Sequence, residues 1–256
     1  MGPVVVCGAS YFSPASADNQ EFAGKHFSQL VAKALGVDCI ALSHPGVSNF
    51  SIGLQIDHAL KLDPRPCLIL TGNTRWDRID FHAGIPCDDN RIIDLDLQMF
   101  SMDGHLTHNL TTNPYFISTS LMDFFNANTI RLWQNKIPNI NPKISAIQKY
   151  FENVYEQNIK KQMDISIVFH YYYKLHYSGI PYILCYEDIE FSGQYLPFPW
   201  LHNEKYEPNP NVIGHLIKPI LNSSHRGDCP FHTTIEAQEK AAEIILQVYY
   251  ENFDSR

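Results

Sequence analysis

Long apolar runs, basic clusters and paired cysteines are all missing from this chain, and each absence removes a class of function. No apolar stretch approaches the roughly 20 residues that a membrane-spanning helix needs, so no membrane span is expected. No block of Lys and Arg is present. With 19 basic against 27 acidic residues the formal net charge is -8, the wrong sign for a phosphate backbone, and nucleic acid is excluded as a primary partner. The six cysteines contain no Cys-x-x-Cys pair. Four of them (Cys7, Cys39, Cys67, Cys185) fall in apolar, β-rich runs, where a reduced thiol behaves as a small hydrophobe. The opening residues lack the basic and long apolar regions of a secretory leader. A reducing, cytoplasmic location is therefore the expectation. A Walker A lysine and Gly-x-Gly-x-x-Gly are also absent, and no cofactor is expected.

What is present suits one large α/β domain spanning residues 1–256, with 45% of residues hydrophobic. Continuous apolar runs at Pro3–Cys7, Asp38–Leu42, Cys67–Thr71 and Pro181–Tyr186 read as strands buried on both faces. Helical spacing separates them. Phe27, Leu30, Val31, Ala34 and Leu35 share one face and Gly36 follows as a stop, while Ile52, Ile56, Ala59 and Leu60 repeat the pattern. Alternation of this kind predicts a parallel sheet with helices on both sides. Pro142 opens a long helical pattern reaching Tyr177, and Thr233 with Glu236 has capping-box spacing ahead of a final helix. Residues 82–140 read as a largely helical, irregular insertion with a short helix over 118–133, and residues 187–213 as a second excursion. Both leave the carboxyl edge of the sheet, where ligands bind in such folds. The run Phe169–Tyr173 is aromatic enough to pack either in the core or against a partner.

Four short segments carry candidate chemistry. Ser10 follows the first strand in Cys7-Gly-Ala-Ser10, a pattern that serves a nucleophile, a phosphate-binding turn or a plain loop. It is not a Gly-x-Ser-x-Gly elbow, because Phe12 holds the last position. After the second strand, Gly46 can bring a backbone N–H close to a ligand, and Asn49 lies beside it at a helix start. After the third, Gly72-Asn73-Thr74-Arg75 offers an amide donor suited to an oxyanion, or an ordinary turn asparagine. Before the last helix, Asp228 and His232 can form an oriented general base. His225, Cys229 and His232, with Asp228, are a conceivable ligand set, but their spacing matches no strong zinc pattern, and no metal is expected.

Taken together, these blocks resemble the SGNH (GDSL-type) hydrolase family, of which the chain would be a divergent member. Cys7-Gly-Ala-Ser10 resembles the first block, Pro45-Gly46-Val-Ser-Asn49 the second, Thr71-Gly-Asn73 the third and Asp228-Cys-Pro-Phe-His232 the last. The resemblance covers roughly residues 3–80 and 222–248. It implies a three-layer α/β/α, flavodoxin-like fold around a parallel sheet, and an acyl-enzyme mechanism. Ser10, His232 and Asp228 would be the triad. The Ser10 and Gly46 N–H groups and the Asn73 amide would form the oxyanion hole, with Asn49 and Arg75 touching substrate. The chain departs from the pattern in three places: Ala9 stands for the usual Asp, Gly72 directly precedes Asn73, and three residues rather than two separate Asp228 from His232. The implied partner is a small-molecule or glycan ester. The aromatic, amide-rich insertion suits an acylated carbohydrate, though such residues also pack cores. The competing reading is an inactive module of the same fold that binds a glycan or a protein.

Overall fold

The computed structural model describes residues 1–14, 21–43, 47–76, 78–82, 100–102, 116–120, 131, 134, 141–186, 213–223 and 233–253. Its strands are β1 (Val4–Val6), β2 (Cys39–Ala41), β3 (Leu68–Gly72), β4 (Arg78–His82), β5 (Phe100–Met102), β6 (Phe116–Ser120) and β7 (Tyr182–Tyr186). Its helices are α1 (Phe27–Leu35), α2 (Asn49–Ala59), α3 (Asn141–Asn153), α4 (Gln157–Ser178), α5 (Gly214–Ser223) and α6 (Ile235–Asn252).

The four apolar runs form one parallel sheet in the order β2-β1-β3-β7. Val5 sits between Ile40 and Ile69, and Leu70 pairs with Ile183. Because successive side chains alternate across a strand, the sheet supplies two cores. Val5, Ile69 and Leu184 pack against Ile52 and Ile56 of α2 and Val168, Tyr172 and Leu175 of α4. Val4, Val6, Leu68, Leu70 and Ile183 pack on the other face against Phe27 and Val31 of α1, Ile217 of α5, and Ala241 and Ile245 of α6. All of these side chains are buried, which is why the strands are continuously apolar rather than alternating. Each fully buried Val, Leu or Ile contributes about 1.5–3 kcal/mol against exposure, so the sheet needs no long strands to hold.

The chain leaves β1 toward β2 on one side and returns to β3 on the other. The carboxyl ends of β1 and β3 therefore flank the point where the strand order reverses, the usual crevice for a ligand in an open α/β sheet.

Three local expectations need correction. The helical pattern from Pro142 is two helices, with Val154–Glu156 between them. The Tyr150 carbonyl accepts both the Val154 and Tyr155 N–H groups, closing α3, and the Glu156 carboxylate accepts the Ile159 N–H at 2.7 Å to open α4. Tyr150, Phe151 and Tyr155 fill the corner, with ring centroids 5.4–6.2 Å apart. The cap of α6 is Thr234, whose hydroxyl accepts the Ala237 N–H, rather than Thr233, which is buried. Inside the insertion, residues 116–120 are strand where a helix was expected to start. The β-branched and aromatic side chains of Phe116-Ile-Ser-Thr favour pairing, and β6 runs antiparallel to β4 and parallel to β5 in a small separate sheet. Most of residues 82–140, and all of 187–213 except Ile213, lie outside the described residues. The aromatic run divides: Phe169, Tyr171 and Tyr172 are buried in the core, while Tyr173 is exposed.

Candidate active site

The turn after β1 is fixed from three sides. Gly8 leaves the strand with φ 155°, and a Cβ there would stand 2.4 Å from Cδ2 and 2.5 Å from Cγ of the Phe12 ring. Only glycine lets that ring close over the strand end. The Gly8 peptide is gripped by the buried Gln55 of α2, which accepts the Gly8 N–H at 2.6 Å and donates to the Gly8 carbonyl at 3.4 Å. Ser10 opens a single 3-10 turn (Ser10–Phe12), closed by Phe12 N–H to the Ala9 carbonyl and Ser13 N–H to the Ser10 carbonyl. Ser43, just past β2, donates its hydroxyl to the Phe12 carbonyl at 2.6 Å.

The third side is His26, fully buried at the N-cap of α1. Its Nε2 lies 2.9 Å from the Tyr11 carbonyl, and its Nδ1 lies 3.2 Å from the Ser28 backbone N and 2.7 Å from the Ser28 hydroxyl. A carbonyl can only accept and a backbone N–H can only donate, so both contacts require the neutral ring with its proton on Nε2. Burial pushes the His26 pKa down to about 4, against the opposing pull of the Tyr11 carbonyl bond.

The end of β3 is held by a polar chain. Asn49, at the start of α2, accepts the Thr74 N–H at 2.8 Å through Oδ1 and donates from Nδ2 to the Thr74 carbonyl at 2.9 Å. Its Nδ2 also reaches Oδ2 of the buried Asp164 at 3.3 Å, and Lys160 closes on Asp164 Oδ1 at 2.5 Å. Asn49 is fully buried and acts on the backbone beside Asn73. Asn73 is itself buried, with its Nδ2 3.4 Å from the Tyr172 hydroxyl, whereas Arg75 is exposed. Cys7 and Cys185 are held as neutral thiols, because burial raises their pKa far above the ordinary range, so neither is a reactive thiolate.

The start of the last helix is tied to the same region. Gln238, in the first turn of α6, accepts the Phe27 N–H at 2.8 Å, and the adjacent His26 holds Tyr11. Two hydrogen bonds thus connect the N-terminus of α6 to the turn carrying Ser10. Gly46, Asp228 and His232, together with His225 and Cys229, lie outside the described residues. Of the expected site, Ser10, Asn49, Asn73 and Arg75 are therefore placed, all beyond the carboxyl ends of the parallel strands.

Gln55, His26 and Asp164 were not foreseen. Two left a trace in the pattern. Gln55 sits among Ile52, Ile56 and Ala59 on the inward face of α2, and Asp164 precedes the buried Ile165 and Val168 of α4. A polar residue on an apolar stripe has to find a buried partner. Replacing Gln55 by Leu leaves both polar groups of Gly8 unpaired in the core. The expected loss is about 1–3 kcal/mol, read as a lower urea midpoint with unchanged m-value. An unaltered midpoint would mean that the turn does not depend on this grip. Compared with protein-family models, curated proteins and solved structures, the chain has no match.

Proposed function

We propose that the chain is a serine-dependent acyl hydrolase of the SGNH type, built on the SGNH variant of its α/β fold. Ser10 attacks the acyl carbonyl while His232 takes its proton, and Asp228 orients the imidazole. The Ser10 and Gly46 N–H groups and the Asn73 amide receive the oxyanion. Each such donor typically contributes about 2.7–4 kcal/mol to the barrier reduction. Water then releases the acyl-enzyme. An ester of a small molecule or glycan is the substrate class. The free thiols of Cys7, Cys39, Cys67 and Cys185 suit a reducing cytoplasm.

One observation carries this reading. The first turn of α6, which begins three residues after His232, is bonded through Gln238 and Phe27 to the cap that holds the Ser10 turn. The turn carrying Ser10 and the helix that follows the last block of the resemblance, more than 200 residues apart in sequence, are thereby tied to one helix N-terminus. Supporting it, Ser10 follows β1 and Asn73 follows β3, on the two strands that flank the switch point.

The test is covalent. A fluorophosphonate should add one phosphonyl group per chain, mapped by peptide mass spectrometry to Ser10, and His232→Ala should suppress the adduct. An unmodified chain, or an adduct on another serine, would count against the hydrolase and leave the non-catalytic binding module as the better reading.

A further inference from the structure

The sequence puts a histidine where a helix usually takes Ser, Thr, Asp or Asn. A short cap of that kind would satisfy the Ser28 N–H but has no second group aimed at the Ser10 turn. The imidazole has an acceptor on one side and a donor on the other, separated by a rigid ring. Here both are used, on Ser28 and on the Tyr11 carbonyl, and Tyr11 is the residue directly after Ser10. The ring cannot swing away. Phe27 packs against it with centroids 4.2 Å apart, and Phe12 meets Phe27 edge-on at 5.6 Å. The capping box is completed by Gln29, whose side chain accepts the His26 N–H at 3.3 Å.

We infer that His26 is a positioning residue for Ser10: by capping α1 with Nδ1 and holding the Tyr11 carbonyl with Nε2–H, it fixes the 3-10 turn that presents the Ser10 hydroxyl. This rests on Ser10 being the nucleophile, and it assigns the rigidity of the nucleophile turn to a residue that never meets substrate. The orientation of a serine hydroxyl depends on the backbone on both sides of it. Gln55 secures the side before Ser10 and His26 the side after.

Two near-isosteric variants separate the two jobs of the ring. His26→Asn keeps an acceptor for the Ser28 N–H but is too short to reach Tyr11. His26→Gln keeps a donor of the right length for Tyr11 and is a poor cap. With 4-nitrophenyl acetate, His26→Asn is expected to lower kcat about 10- to 100-fold with KM little changed, while His26→Gln stays within about threefold of the parent despite its weaker cap. A merely structural histidine would give the reverse order, with the poorer cap the less active, and that order would overturn the inference. Amide hydrogen exchange supplies a readout independent of catalysis. Phe12 and Ser13 N–H, bonded within the turn, should exchange faster in His26→Asn than in the parent, with Val31 and Ala32 of α1 still protected. Unchanged exchange at Phe12 and Ser13 would refute the inference whatever the activity. If the parent chain neither hydrolyses the ester nor takes up fluorophosphonate, the nucleophile reading falls. The exchange data then decide alone whether His26 holds the turn.

Discussion

Ser10→Ala should lower turnover of a short-chain nitrophenyl ester by at least about a thousandfold while leaving the folded chain essentially as stable as before. The size follows from covalent catalysis: without the hydroxyl no acyl-enzyme forms, and only binding and oxyanion donors remain to assist direct attack by water. The stability half is what makes the experiment decisive. Ser10 is half-buried, its backbone carbonyl rather than its side chain makes the turn bond to Ser13, and its Oγ has no hydrogen-bond partner among the described residues. Alanine is therefore expected to change the urea midpoint by no more than a surface substitution does, about 0.5 kcal/mol. Neither Cys7 nor Ser13 offers a rescuing nucleophile. Cys7 is fully buried and neutral, and the Ser13 hydroxyl is directed to the Ala9 carbonyl at 3.4 Å. Retention of more than a tenth of parental turnover, with the fold intact by circular dichroism, would place the chemistry elsewhere or nowhere on this chain.

The parts of this molecule that could be read in advance are those where one physical cause dominates. Val4–Val6 and Leu68–Leu70 have no polar residue to place, so burial on both faces is the one stable answer, and the helices between them make the pairing parallel. Gly36 ends α1 in the left-handed conformation with φ 68°, as a glycine after the last apolar repeat should. Where two causes compete, the pattern alone could not decide. The apolar spacing from Pro142 to Tyr177 is helical throughout. The break at Val154–Glu156 arises from an aromatic corner and a carboxylate cap, neither of which has a periodicity. Thr233 and Thr234 are equally good caps by type, and the choice falls to the second because the first is taken into the core. The site divides in the same way. Ser10 and Asn73 announced themselves by following strands, whereas His26 had no signal beyond an unusual residue type ahead of a helix. Its importance comes from Tyr11, 15 residues earlier, a proximity created by the fold.

Acid should destabilise the chain through that same histidine. Burial lowers the pKa of His26 in the folded protein to about 4, while in the unfolded chain it returns to about 6.5. Between these values the unfolded state binds the extra proton, so stability falls as pH falls. The contribution is fully present above about pH 6.5, is lost progressively down to about pH 4, and amounts to about 3 kcal/mol, since each pKa unit corresponds to about 1.4 kcal/mol. Carboxylates titrate over part of the same range, so the measurement is a difference: urea midpoints from pH 7 to 4 for the parent chain and for His26→Gln, which cannot titrate. The two stability curves should converge toward low pH, the parent losing more. Parallel curves would show that His26 is not held neutral in the folded state. The proton must enter at Nδ1, the nitrogen that accepts from Ser28, whereas the Nε2–H bond to Tyr11 survives in the imidazolium. Acid therefore opens the cap of α1 before it frees the turn. In exchange experiments near pH 4.5, protection should be lost at the first amides of α1 ahead of Phe12 and Ser13.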